Sequence, residues 1–217
     1  GGQYVDRQTR KAYEGSMTPS KSIMQISLGV AMDFSAFPPM MSFPLSHPIW
    51  LGNIRHDHLV LKHYCFDPTM APRGKSVLTL WCEADYDYWI WLRGDRSRYK
   101  KHKAEAAEII IDILDERYPG LRRAVEVVDV ATPVTHERYT GNWRGAFAGW
   151  ALTTRKMSMM MGIGMSKTLP GLEGFYRIGH WVEPGGNVEL SCASGRDVIK
   201  DICQARNEPF IPDEQEE

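Results

Sequence analysis

Apolar and polar positions alternate from Ser22 to Asp33, where Ile23, Met24, Ile26, Leu28 and Val30 predict a strand buried on at least one face. The next stretch, Phe37 to Pro48, carries four prolines among apolar residues. Proline removes backbone donors, so this stretch predicts an irregular loop with an apolar face. From Ile49 to Phe66 the alternation returns, with Leu59, Leu61 and His63 on one face and Val60, Lys62 and Tyr64 on the other. Asp67 to Gly74 reads as a turn, and Lys75 to Glu83 as the antiparallel partner of the preceding strand.

Period 3.6 then replaces period 2. Arg96 to Arg117 predicts a helix with Tyr99, Ala106, Ile109, Ile110, Ile113 and Leu114 on one stripe, ending at Tyr118-Pro119-Gly120. The aromatic run Asp85 to Leu92 before it reads as core or interface, or as the lining of a tunnel. Arg122 to Ala131 predicts a strand, and Thr132-Pro133 stops it before a short helix from Val134 to Tyr139. Gly141, Gly145 and Gly149 follow, interleaved with Trp143, Phe147 and Trp150. Met157 to Met165 is a thioether cluster, suited either to an irregular core or to a flexible hydrocarbon.

Toward the C-terminus the pattern predicts a short buried strand (Phe175 to Ile178), a glycine-bearing loop (Gly179 to Gly186) and a helix beginning near Asn187, a plausible N-cap. The predicted class is α+β: a mostly antiparallel sheet, one long helix across it, and a C-terminal strand-loop-helix. The expected divisions are a poorly ordered lead-in at 1–20, an α+β domain at 21–167, a C-terminal segment at 168–207 and an acidic tail at 208–217.

Charge narrows the function classes. A net charge of −1 over 217 residues gives no support for nucleic-acid binding through a broad basic face. The basic cluster Arg93 to Lys103 reads as the solvated start of a helix, because acidic residues follow it on the same element. Cys65, Cys82, Cys192 and Cys203 lack metal or scaffold spacing, which suits reduced thiols. No signal peptide and no run able to cross a bilayer are visible, so the expected location is cytoplasmic, with peripheral membrane contact open for a lipid substrate. His56, His58 and His63 are close in sequence but lack further ligands at diagnostic spacing, so no metal is expected.

A strand feeding a glycine loop that opens a helix is an anion or dinucleotide site in outline. Free N–H groups and partial positive charge gather at the helix start, and glycines admit a ligand to the backbone. Spacing alone equally suits a tight turn before an amphipathic helix.

The residues Phe175-Tyr-Arg-Ile-Gly-His-Trp-Val-Glu-Pro-Gly-Gly-Asn-Val188, followed by Ser194-Gly-Arg196, resemble the C-terminal flavin motif of the phytoene desaturase family, which includes carotenoid isomerases and retinol saturases. The resemblance continues in Asp67-Pro-Thr-Met-Ala-Pro-Arg-Gly74, Ala131-Thr-Pro133 and Tyr139-Thr-Gly-Asn-Trp-Arg-Gly-Ala-Phe-Ala-Gly149. It implies FAD as cofactor, with Gly179, His180, Glu183, Pro184, Gly185, Gly186, Asn187 and Val188 around it. The Gly179 N–H is expected near the phosphates, and Pro184 to Val188 at the pyrimidine edge of the ring. It also implies an apolar, isoprenoid or lipid-like substrate meeting Trp143, Phe147 and Trp150. No catalytic acid or base is assigned.

The family's opening strand, Gly-x-Gly-x-x-Gly turn and helix are missing from this sequence. The expected partner is therefore an N-terminal Rossmann-type half, from the same gene or a separate chain, and self-association is open. The expected function is the C-terminal part of an FAD-dependent desaturase, saturase or isomerase, with the chain inactive alone. The alternative is a non-catalytic subunit or lipid-binding module that keeps the fold.

Overall fold

A computed structural model describes residues 2–151, 165–183 and 186–212. Two compact units emerge: Lys21–Ala146, and Gly1–Ser20 together with Phe147–Glu217.

The Lys21–Ala146 unit is built on five strands: β1 (Ser22–Val30), β2 (Met40–Leu51), β3 (Ile54–His63), β4 (Ser76–Ala84) and β5 (Val125–Ala131). Their order is β2-β3-β4-β1-β5, and every pairing is antiparallel. Alternation sets the register: Met24, Ile26, Leu28 and Val30 of β1 are buried, and Leu78 and Leu80 of β4 stand opposite Leu28 and Ile26. Leu59, Leu61 and His63 are buried on β3, the face that alternation assigns them. The α+β class with a mostly antiparallel sheet is thus borne out.

Helices α2 (Tyr86–Arg93) and α3 (Arg96–Arg117) follow β4. Each starts at an aspartate whose carboxylate accepts two N–H groups of the first turn: Asp85 from Asp87 and Tyr88, and Asp95 from Ser97 and Arg98. On α3, Ala106, Ala107, Ile110, Ile111 and Leu114 are buried. Each large aliphatic side chain so buried is worth about 1.5–3 kcal/mol. Trp89 of α2 joins the same core, whereas Trp91 is exposed, so the aromatic run divides between interior and surface. Helix α4 (Leu121–Ala124) is a single turn leading into β5, so the strand expected from Arg122 begins only at Val125. Helix α5 (Pro133–Thr140) starts with a reciprocal cap between Thr132 and Thr135, and Pro133 occupies its first turn.

The proline-rich stretch corrects the loop expectation, since Met40–Leu51 is a strand at the sheet edge. An edge strand needs donors on one side only, so prolines are tolerated there. The cost is a break in the β2–β3 register between Pro44 and Ile49.

The second unit also departs from its expected elements. The stretch 2–20, expected as a poorly ordered lead-in, carries regular elements. Helix α1 (Arg7–Lys11) continues into a wider turn over Ala12–Ser16, and Ala12 is buried with Trp150, Met165 and Val182. Thr18 and Ser20 pair with the 148–151 stretch through Ala151 N–H to Thr18 O (2.8 Å) and Ser20 N–H to Gly149 O (2.7 Å).

The strand expected at Phe175–Ile178 is instead β7 (Leu172–Tyr176), paired with β6 (Thr168–Leu169), and Phe175 and Ile178 are exposed rather than buried. Helix α6 (Val188–Ala205) begins where expected, with Asn187 as its cap. The thioether stretch 157–164 lies outside the described residues; Met165 is buried. Among the described residues, no helix is long and apolar enough to cross a membrane.

Candidate functional site

The glycine loop after β7 is shaped by local turns and by close packing within its own unit. Gly179 has φ 91°, and its carbonyl accepts the N–H groups of both Val182 and Glu183 at 2.9 Å. This closes a tight turn that a side chain would strain. Gly186, with φ 65°, lies against Ala148, and a Cβ there would meet the Ala148 Cβ at 2.3 Å. Gly186 thus permits close approach of two chain segments, whereas Gly179, with nothing near its missing Cβ, serves the turn alone.

The Gly179 N–H donates to Ser194 Oγ at 3.2 Å, and Ser194 is buried on α6. The N–H expected near a phosphate is directed at α6 in this structure. At the helix start, Asn187 Oδ1 accepts from Leu190 N–H at 2.7 Å, and Ser191 Oγ donates to the Asn187 carbonyl at 3.0 Å. Val188 is 77% exposed, so the first turn opens to solvent. Pro184 and Gly185 lie outside the described residues.

His180 is half-buried, which pushes its imidazole below the usual histidine range. Burial disfavours the charged ring. Its ring lies 5.8 Å from that of Trp181. Glu183 faces Lys167 at 3.8 Å, and Lys167 reaches Asp197 of α6 at 3.6 Å.

The aromatic residues expected to meet substrate do not share one environment. Trp150 is 1% exposed, and its Nε1–H donates to the Trp181 carbonyl at 3.0 Å. Tyr13 and Trp181 both place ring centroids 5.0 Å from it. Trp150 is therefore core, with no open ring face for a substrate. Phe147, in the same unit, is exposed; Trp143 is exposed and belongs to the other unit.

Three residues that sequence reasoning missed organise this region. Tyr13 covers Trp150 but sits in a stretch without apolar periodicity. Ser194 belongs to the Ser-Gly-Arg signature, yet only the fold shows its bond to Gly179. Arg177 donates to Thr9 Oγ1 at 3.2 Å and lies 3.6 Å from Asp6, tying β7's exit to α1.

The three clustered histidines diverge. His63 is buried, with Nε2 3.0 Å from the Phe37 carbonyl, while His58 sits 2.9 Å from the Asp57 carboxylate at the surface. Among the described residues, no three His, Cys, Asp or Glu side chains gather as a metal site.

No family model matches the chain. Over 130 residues, 59% of this chain, it is 28% identical to the chloroplastic prolycopene isomerase of Daucus carota and 27% identical to that of Arabidopsis thaliana. Over 87 residues, 38% of this chain, it is 31% identical to the all-trans-retinol 13,14-reductase of Danio rerio. The matched stretch spans 20% of the Daucus protein, 21% of the Arabidopsis protein and 14% of the Danio protein. These relatives are carotenoid-desaturase-like oxidoreductases, and they bear out the resemblance carried by the sequence motifs.

Proposed function

We propose that this chain is the C-terminal part of an FAD-dependent oxidoreductase, of desaturase, saturase or isomerase type, acting on an isoprenoid or other lipid-like substrate. One observation carries the reading: the loop from Gly179 leads into an Asn187-capped helix whose first turn is open to solvent, in a chain whose relatives are named for prolycopene and retinol. The donor set at Gly186, Asn187 and Val188 fits the electron-rich edge of a flavin ring, because a helix start presents N–H groups and partial positive charge. When bound, the flavin supplies hydride transfer to or from a substrate carbon.

The chain's own contribution is binding and orientation. Gly186 packs against Ala148, Asn187 caps the start of α6, and Ser194 holds the turn at Gly179. His180 and Glu183 flank the loop without an assigned proton-transfer role. The nucleotide tail of FAD would be held by a Rossmann-type N-terminal half, encoded in the same gene or on a separate chain.

The test is a titration with FAD, followed by flavin absorbance and fluorescence, of the 217-residue chain alone and together with a polypeptide carrying that half. Weak or undetectable binding alone and a stoichiometric yellow complex together are expected. Tight binding by the lone chain would contradict the divided site. A stable but colourless complex would instead favour the non-catalytic subunit or lipid-binding module.

A further inference from the structure

The Lys21–Ala146 unit carries a cleft, remote in sequence from the glycine loop, where the end of α2, the first two turns of α3 and the face of α5 converge. Two adjoining hollows of about 550 and 500 Å³ share Arg93, Tyr99, Lys103 and Arg138 as lining. Arg96 and Lys100 line one of them, and Asp129 lines the other. Five cations thus face a single carboxylate.

Acidic residues following Arg93–Lys103 were expected to leave this cluster an ordinary solvated helix start. The fold spends those acids elsewhere: Glu105 lies 3.8 Å from Lys101, while Glu108 and Asp112 both bind Arg122. Asp95 is used as the α3 cap, and Glu137 accepts from Tyr86. Among the described residues, Arg93, Arg96, Lys100, Lys103 and Arg138 have no carboxylate within ion-pair distance. Arg96, Lys100 and Lys103 recur at helical spacing, so like charges are stacked on one face, which costs stability without a counter-charge.

A second observation points into the same cleft. His136 lines it, and its Nε2 is buried with no hydrogen-bond partner among the described residues. A buried polar nitrogen left unpaired is costly. An anionic oxygen would answer both the charge excess and the orphaned nitrogen. Three guanidinium forks and two ammonium groups favour phosphate over a single carboxylate, since phosphate offers more acceptor oxygens and more charge. Val130 and Val134 add an apolar wall on which the body of such a ligand could rest.

We infer that this cleft binds a phosphate group, carried either by a small phosphorylated molecule or by a lipid headgroup. The site is independent of the flavin reading and survives if that reading fails.

The test uses the 217-residue chain with two probes: inorganic pyrophosphate by calorimetry, and sedimentation with phosphatidylcholine vesicles with or without phosphatidic acid. K103Q/R138Q is compared with R123Q, which removes a cation outside the cleft, and R93Q/R96Q replaces the first pair if circular dichroism shows that it fails to fold. Either probe should bind, with about tenfold or greater weakening in K103Q/R138Q and none in R123Q. Pyrophosphate binding identifies a free phosphorylated ligand, and binding confined to phosphatidic acid vesicles identifies a headgroup; both support the site. Binding of neither probe, or equal binding by K103Q/R138Q and wild type, overturns it.

Discussion

A Cβ placed on Gly149 would lie 2.5 Å from the carbonyl oxygen of His180, and the Gly149 backbone has φ 68°. Both the left-handed conformation and the contact exclude a side chain. Gly149→Ala should therefore cost about 2 kcal/mol or more. Gly141 offers the contrast, because it has φ 70° with nothing near its missing Cβ. Gly141→Ala should cost only about 1 kcal/mol, from conformation alone. Urea unfolding followed by tryptophan fluorescence checks the order, and equal losses would show that the 149–180 contact is loose.

Thr132 is fully buried, and its hydroxyl lies 2.6 Å from that of Tyr99 while also capping α5 through the Thr135 N–H. Thr132→Val keeps the shape and removes the oxygen, taking the cap from the Thr135 N–H and leaving the Tyr99 hydroxyl only Thr135 Oγ1 at 3.4 Å. A loss of about 1–2 kcal/mol is expected. For a chain of this size that lowers Tm by about 2–4 °C per kcal/mol. Thr132→Ser should recover most of it; failure of serine to do so would assign the effect to the lost methyl group instead.

The elements set by strong periodicity were legible. The run ending at Val30 alternates cleanly, and Arg96–Arg117 is bounded by an aspartate and by Tyr118-Pro119-Gly120, so local chemistry and packing agree there. Met40–Leu51 was not legible, because proline's effect depends on whether a strand is central or at an edge, a property of the whole sheet. Ala12 was equally hidden: one small residue buried under Trp150 leaves no periodic trace. At the candidate site, Asn187 announced the helix start. The engagement of Gly179 by Ser194 across fifteen positions was invisible without the fold.

Stability should decline as the solution is acidified through the histidine range. Burial lowers the His136 imidazole below its usual value, and burial does the same to His56, with the nearby Glu83 carboxylate opposing it. Unfolded histidine titrates near about pH 6.5. Above that value the rings are neutral in both states and contribute nothing. Below it the unfolded chain binds protons that the folded chain refuses, so stability is lost as pH falls through the unfolded value. His136→Gln should flatten part of this decline, provided no phosphate is present in the buffer. Urea midpoints compared at about pH 7.5 and about pH 5.5 measure it, and an identical slope in the variant would mean that His136 is solvated.

The thiols should separate by accessibility and by charge. Cys82 is buried on β4, and burial pushes its thiol up to about 12. A thiol pushed up that far is almost wholly protonated at neutral pH, and the thiolate is the reactive form. Cys192 is exposed on α6, while Cys65 is half-buried with its Sγ 3.2 Å from Ser76 Oγ. Brief iodoacetamide treatment followed by peptide mass spectrometry should find Cys192 labelled first and Cys82 only after denaturant is added. Early labelling of Cys82 would mean that β4, which pairs with both β1 and β3, opens far more readily than its burial implies.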